Sequence, residues 1–128
     1  MNRTFLLIGS LAGFTCVAIG AFGAHALRGS LTPEMLAVFE TGVRYQMYHA
    51  LAVIAIGLLA ARLDKWLITL TGWLFTAGIV LFSGSLYALA LTGATRLGAV
   101  TPIGGVLLLL GWACLALAAI DLTDRLLS

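Results

Sequence analysis

Residues 66–91 read WLITLTGWLFTAGIVLFSGSLYALAL, a run without one acidic or basic side chain. A helix that crosses a bilayer needs about 20 consecutive, mostly apolar residues, because each residue advances it by about 1.5 Å. This stretch exceeds that length. It is too long and too uniformly apolar to be typical of a water-soluble domain, so it decides the class of fold.

Three further stretches of the same kind lie on either side of it. They cover residues 4–27, 43–61 and 102–120, with a polar turn from Arg62 to Lys65 and a polar loop over residues 92–96 around the third stretch. A chain of 128 residues favours one domain. The sequence therefore predicts an all-α, polytopic membrane protein, with residues 1–128 forming a single domain of four transmembrane helices.

The overall composition supports this class. Hydrophobic residues make up 62% of the chain and charged residues 9%, and the mean hydropathy is +1.11. Soluble domains carry about 25% charged residues. The net charge is only +2 and the basic residues are scattered, so no nucleic-acid partner is expected. Membrane lipid is the expected surrounding partner, and no motif calls for a cofactor.

The segment between the first two apolar stretches has the signals of a short helix. Thr32 is a suitable N-cap, Pro33 fits the first helical position, and Glu34 favours the positive end of a helix. Met35 and Phe39 share one face. We predict a short amphipathic helix over residues 33–41 that lies at the membrane surface, with Gly42 as the joint into the second span.

Four spans would place both termini on the same side of the membrane. That side would carry four basic residues and the opposite side three, which by the positive-inside rule leans toward cytoplasmic termini. The first group is Arg3, Arg62, Lys65 and Arg125, and the second is Arg28, Arg44 and Arg96.

The same topology gathers polar side chains at one membrane face, where the first span ends and the second begins. Tyr45 and His49 are four residues apart and share a helical face, with Gln46 beside them. His49 is expected to turn away from lipid and to face the same polar region as His25. The candidate ligand-binding or proton-transfer residues are His25, Glu40, Arg44, Tyr45, Gln46 and His49.

Three interpretations of this polar group remain open. It could be a hydrogen-bonded network that holds helix ends together, a site for a ligand or a proton, or a metal site formed by His25, Glu40 and His49. No pair of potential metal ligands has a diagnostic spacing. No nucleophile motif or phosphate-binding loop is present either, so no catalytic residue is assigned.

Small residues line one side of the first span. Gly9, Gly13, Gly20 and Ala24 recur at helical spacing, a pattern that allows the backbone of another helix to approach closely. Trp73 and Trp112 lie well inside their spans, and we interpret them as packing anchors.

Several motifs occur in an order that resembles a known family. They are GAFGAH at residues 20–25, TGVRYQMYHA at 41–50, FSGSLY at 82–87 and TPIGG at 101–105. The set resembles the small membrane proteins of the YgdD-like family, domain of unknown function family 423. The resemblance covers nearly the whole chain. It implies a four-span protein of the bacterial inner membrane, with eukaryotic relatives, but implies no activity and no catalytic residues.

Three functional hypotheses follow. The first is a non-enzymatic helical-bundle protein that associates with itself or with a larger membrane assembly. The second is a transport or channel component for a small molecule, an ion or protons, which would need an oligomer because four short spans leave little room for a pathway. The third is an intramembrane metal-dependent enzyme.

Overall fold

The computed structural model describes residues 1–63 and 65–127, and within them it contains four long helices and no strand. A π-helical turn, Gly23–Leu27, continues the first helix, and a 3₁₀ turn, Thr95–Ala99, precedes the fourth. The predicted all-α class is confirmed. Asp64, in the predicted turn between the second and third spans, and Ser128 lie outside the described residues. The long helices are α1 (Arg3–Phe22), α2 (Pro33–Leu59), α3 (Lys65–Thr92) and α4 (Thr101–Leu127).

Side-chain caps fix where the first two long helices begin. The Asn2 side chain accepts hydrogen bonds from the backbone N–H groups of Thr4 and Phe5, at 3.0 and 3.3 Å. The Thr32 hydroxyl accepts one from the N–H of Met35 at 3.2 Å, with a proline at the first helical position. These contacts satisfy donors that a helix start leaves free. The cap predicted at Thr32 is therefore confirmed.

The predicted joint at Gly42 is not present in the structure. Residues 33–41 do not form a separate short helix, because α2 runs without interruption from Pro33 to Leu59. Gly42 lies buried inside it, and a β-carbon there would sit 2.7 Å from Cε1 of Tyr87. Glycine costs a helix interior only about 1 kcal/mol. Here it gives the Tyr87 ring room to pack against the backbone, so it serves packing and not bending.

The helices pack in series, α1 against α2, α2 against α3 and α3 against α4. Neighbours run antiparallel: Gly9 near the start of α1 packs against Ile54 near the end of α2, and Gly104 at the start of α4 meets Phe82 toward the end of α3. The chain therefore begins at the same end of the protein at which α4 finishes. The main apolar core comprises Phe5, Ala52, Val53, Ile56, Ile68, Phe75 and Leu108.

Glycines let these helices approach one another at several crossings. A β-carbon at Gly72 would collide with the Phe5 ring, and one at Gly104 would collide with the backbone of Phe82. A displaced ring can rotate, whereas a helix backbone cannot yield locally. Among these crossings, the one between α3 and α4 therefore tolerates a side chain least, because Gly104 lies directly against the backbone of Phe82.

Three of the helical segments are long and apolar enough to cross a membrane: Arg3–Leu27, Lys65–Thr92 and Thr95–Asp124. Large apolar side chains stay exposed along them, including Phe14, Val80 and Leu109. Helix α2 is not in this group, and its first half carries polar and charged side chains such as Glu40 and Arg44. Length and composition thus support a membrane protein with at least three apolar helices.

Replacing Gly104 with alanine should destabilise the protein. The new methyl group would meet the Phe82 backbone, and overpacking of this kind costs about 1–3 kcal/mol. Gly84→Ala is the matched control, because a β-carbon at Gly84 meets no atom within 4 Å. Thermal unfolding of both variants in detergent measures the difference. Equal midpoints would contradict the packing at this crossing.

Candidate functional site

The buried side chain of Gln46 joins three helices. Its Nε2 donates to the carbonyl oxygen of Ala12 at 2.8 Å and to Oγ1 of Thr15 at 3.0 Å. Its Oε1 accepts a hydrogen bond of 2.7 Å from the hydroxyl of Tyr87. Thr15 is free to accept because its own hydroxyl donates to Leu11 at 2.9 Å. We call Thr15, Gln46 and Tyr87 the glutamine cluster, in which both amide ends are satisfied.

Further polar contacts tie each pair of adjacent helices. The Cys16 thiol donates to the Val43 carbonyl oxygen at 3.1 Å, joining α1 to α2. The Ser83 hydroxyl donates to the carbonyl oxygen of Gly42 at 2.7 Å, joining α3 to α2. The last contact in this set joins α3 to α4 through the hydroxyls of Ser85 and Thr101, which lie 2.6 Å apart.

His49 lies on a different side of α2 and reaches α4. Its Nε2 is 3.0 Å from Nε1 of Trp112, and its Nδ1 is 2.7 Å from the Tyr45 carbonyl oxygen. An indole N–H can only donate, so Nε2 must accept and Nδ1 must carry the proton. The contacts therefore select the neutral imidazole with its proton on Nδ1, and they occupy both ring nitrogens.

A groove opens beside this histidine, between α2 and α4. It has a volume of about 630 Å³, and Phe82 of α3 contributes to its wall. The Tyr45 ring packs against Phe82, with ring centres 4.6 Å apart, and stacks on His49 at 6.1 Å. We call it the aromatic groove. Its lining residues are Tyr45, Tyr48, His49, Phe82, Pro102, Gly105, Val106, Leu108, Leu109 and Trp112.

The candidate residues on α2 divide between separate environments. Gln46 turns toward α1 and α3, whereas Tyr45 and His49 share the face that lines the groove. Glu40 and Arg44 form an ion pair, with Oε2 and Nη2 3.8 Å apart and side chains 53% and 63% exposed. Exposed pairs of this spacing contribute about 0.3–0.5 kcal/mol. The sequence suggested a single polar site, but these α2 residues belong to three separate groups. They are the glutamine cluster, the His49–Trp112 pair with the adjacent Tyr45, and the exposed ion pair between Glu40 and Arg44.

His25 does not join His49, so that prediction was wrong. His25 is exposed in the π-helical turn after α1. The neighbouring Gly23 packs against Phe39, which precedes His49 by ten residues, or about 15 Å along a helix. The prediction failed because α2 begins ten residues before position 43, so the end of α1 pairs with an earlier part of it.

A metal centre made of His25, Glu40 and His49 has no support in this geometry. Within residues 1–63 and 65–127, no three His, Cys, Asp or Glu side chains come together closely enough to hold an ion. His49 already uses both ring nitrogens, and Glu40 pairs with Arg44 at the surface.

The small residues at positions 9, 13, 20 and 24 differ in how closely another helix approaches them. A β-carbon at Gly9 would lie 2.6 Å from Cγ1 of Ile54, and one at Gly20 would lie 3.2 Å from Cγ1 of Val43. These two glycines bring α1 close to α2. Gly13 has no such neighbour within 4 Å, and Ala24 is exposed. The close approach of another helix predicted for these positions is therefore present at Gly9 and Gly20 and is not present at Gly13.

Sequence reasoning missed the two partners that define these clusters. They are Thr15, which accepts from Gln46, and Trp112, whose indole donates to His49 in addition to packing inside its span. A signal existed for Trp112, because an indole N–H inside an apolar span needs an acceptor. Thr15 gives no such signal, since a threonine hydroxyl can bond to the preceding turn of its own helix, as it also does here.

Apolar helices long enough to cross a membrane, held together by buried hydrogen bonds, define a helical integral membrane protein. The family model described as "Protein of unknown function (DUF423)" matches residues 19–105. The chain belongs to this family, which confirms the family expected from the sequence motifs.

The relatives of the chain are also described as membrane proteins. UPF0382 membrane protein YwdK of Bacillus subtilis is 44% identical over 119 residues, covering 92% of this chain and 97% of the relative. A UPF0382 membrane protein of Haemophilus influenzae is 46% identical over 117 residues, covering 91% and 93%. No solved structure matches the chain.

Breaking the contact between Tyr87 and Gln46 should lower stability by a measurable amount. Tyr87→Phe removes the donor to Oε1 of Gln46, and hydrogen bonds between membrane helices average about 0.6 kcal/mol and reach about 1.7. Unfolding of Tyr87→Phe, Gln46→Leu and the double variant gives their coupling energy. Tyr48→Phe is the control, because the exposed Tyr48 lies outside the cluster. A coupling energy of zero would contradict the cluster.

Proposed function

We propose that the chain is a four-span protein of the bacterial inner membrane that acts without catalysis, as a helical-bundle subunit that associates with further copies of itself. The main support is how its buried polar groups are used. Gln46, Ser83, Ser85 and His49 all bond to partners on neighbouring helices or in their own turn. Such pairing stabilises the packing of helices against one another. It also means that these polar groups already have hydrogen-bonding partners within the chain.

The state of His49 argues against proton transfer. A protonated imidazole has two N–H donors, and one of them would face the indole N–H of Trp112, now 3.0 Å from Nε2. Accepting a proton would therefore break this contact between α2 and α4. The residue fits a structural role in the assembly better than the role of a proton relay.

The fourth span of the proposal is α2. Its 27 residues would extend about 40 Å, enough to cross a bilayer. It packs between α1 and α3, which shields Gln46 and lets a less apolar helix be accommodated among apolar ones. Arg44 and Glu40 lie toward the start of α2, where their exposed side chains would reach the headgroups.

Self-association is assigned to a shallow apolar depression on α1 and α2, which we call the α1–α2 face. It is lined by residues that include Gly13, Phe14, Val17, Met47 and Leu51. Because Gly13 has no neighbour within 4 Å, the helix of another copy could approach its backbone closely. Small residues at this kind of position favour helix association in lipid.

A transport component acting as an oligomer is the second candidate. The observation in its favour is that Tyr45 and His49 line the aromatic groove, whose volume suits a small ligand. The groove lies along the side of one chain, however. A pathway across the membrane would need another copy to close it.

The four-span topology predicts that both termini lie on the same side of the membrane. Reporter fusions made separately at Met1 and Ser128 should give the same response, and the basic residues favour the cytoplasmic one. A fusion in the loop after α3, at Gly93, is the control and should report the other side. Opposite responses at the two termini would rule out four spans.

The α1–α2 face should give cross-links between copies. In a Cys114→Ala background, Gly13→Cys should form a disulfide-linked dimer under mild oxidation in native membranes. The remaining Cys16 is 1% exposed and bonded to α2. Val80→Cys is the matched control, because Val80 is 65% exposed but lies on α3. Equal dimer yields at the two positions would count against this interface.

A further inference from the structure

We infer that the aromatic groove is a binding site for one membrane phospholipid. One acyl chain would lie along α4 from Pro102 toward Trp112, and the phosphate would lie at the end formed by Tyr45 and Tyr48, next to Arg44. This site is separate from the α1–α2 face, so it does not depend on the proposed self-association.

The dimensions of the groove fit a chain-like ligand. Pro102 and Trp112, at its two ends on α4, are ten residues apart, which corresponds to about 15 Å of helix. Its volume of about 630 Å³ lies within the range of about 300–1,000 Å³ typical of small-molecule sites. Val106 and Leu109 supply an apolar wall between the ends.

The polar groups that line the aromatic groove differ in whether they are free to form a hydrogen bond with a ligand. His49 and Trp112 bond to each other, so the deeper end presents ring carbon and aliphatic side chains to a ligand. The hydroxyls of Tyr45 and Tyr48 have no hydrogen-bonding partner in the part of the chain that the structure describes. A ligand with an apolar tail and a polar acceptor at one end matches this arrangement.

Arg44 lies next to the polar end without lining the groove, since its side chain borders a small neighbouring cavity together with Glu40. It precedes Tyr48 by four residues and so lies on nearly the same side of α2. Its ion pair with Glu40 is long, at 3.8 Å, and exposed, so the guanidinium can turn to a second anion at little cost. Arginine is well suited to phosphate oxygens.

The same end of the protein also carries Arg28, Arg96 and Glu34. With Arg44 and Glu40 this gives three positive and two negative charges, so the charge balance there is slightly positive. We therefore expect the protein to bind an anionic phospholipid more tightly than a zwitterionic one. The preference would come from Arg44 and not from the small net charge of this end of the protein. Arginine and tyrosine at the membrane interface meet lipid headgroups at this depth.

Filling the groove tests whether it holds the lipid. The full chain, purified in mild detergent and mixed with dioleoyl phosphatidylglycerol, should retain one lipid in native mass spectrometry. A β-carbon at Gly105 would sit 3.7 Å from the Phe82 ring, an ordinary contact, so the Leu side chain of Gly105→Leu can occupy the groove. We expect about tenfold weaker retention, the factor given by 1.4 kcal/mol.

Matched variants separate this effect from damage to the fold. Gly84→Leu adds the same side chain at an open position of α3 and should retain the lipid. Val106→Trp fills the groove from another position, and Val80→Trp is its control on an exposed face of α3. Retention unchanged in both groove variants, each with an intact helical spectrum, would overturn the proposal.

A second measurement tests the polar end. The unmodified chain should retain phosphatidylglycerol better than phosphatidylcholine, and Arg44→Gln should remove that preference. Arg28→Gln, which changes a cation outside the groove, should keep it. If both lipids bind equally to the unmodified chain, the phosphate assignment is wrong. If Gly105→Leu reduces dimer formation and leaves lipid retention unchanged, the groove is a contact between copies and the lipid proposal fails. This conclusion does not depend on the outcome of the Gly13→Cys cross-linking experiment.

Discussion

The side-chain amide of Gln46 is the constraint on which much of the packing depends. An amide in an apolar interior costs several kcal/mol unless its donors and acceptor are bonded. Here Ala12 and Thr15 on α1 and Tyr87 on α3 meet it together. Because these partners stand at fixed points on their helices, satisfying the amide also fixes how far α1 and α3 can slide along α2.

This register is supported by contacts one turn away. The Cys16–Val43 bond and the Ser83–Gly42 bond lie beside the cluster, and both require helix backbones to come close. Gly42 allows the Tyr87 ring to lie against α2, and Gly9 allows α1 to approach Ile54. In lipid the hydrophobic effect does not drive helices together. Close packing and hydrogen bonds therefore have to act together, and the glycines make the bonds geometrically possible.

Hydropathy predicted that there are four long helices, but it did not predict the length of α2 or which side chains on different helices contact one another. The predicted stretch 66–91 agrees with α3 to within one residue at each end, and Thr32 caps α2 as expected. The helix break predicted at Gly42 was wrong because a glycine in a sequence suggests a local bend. Its role in the structure is to make room for the ring of Tyr87, which is more than forty residues away in the sequence. Gln46 and His49 looked like one polar group because they are neighbours on α2. Their separation depends on which helix lies on each side of α2, and the order of spans in one sequence does not specify this.

His49 joins α2 to α4, separately from the glutamine cluster, and forms part of the wall of the aromatic groove. Helix α4 packs mainly against α3, and the contact from Trp112 to His49 carries it across to α2. That hydrogen bond, with the ring contacts from Phe75 to both residues at 5.4 and 5.0 Å, holds the deep wall of the aromatic groove. The hydrogen bond with Trp112 thus gives this polar residue of α2 a structural role. Its Nε2 accepts the indole N–H of Trp112, and its Nδ1 donates to the Tyr45 carbonyl oxygen, which orients the ring. The groove beside it stays open because α2 and α4 meet through these side chains and not along their backbones.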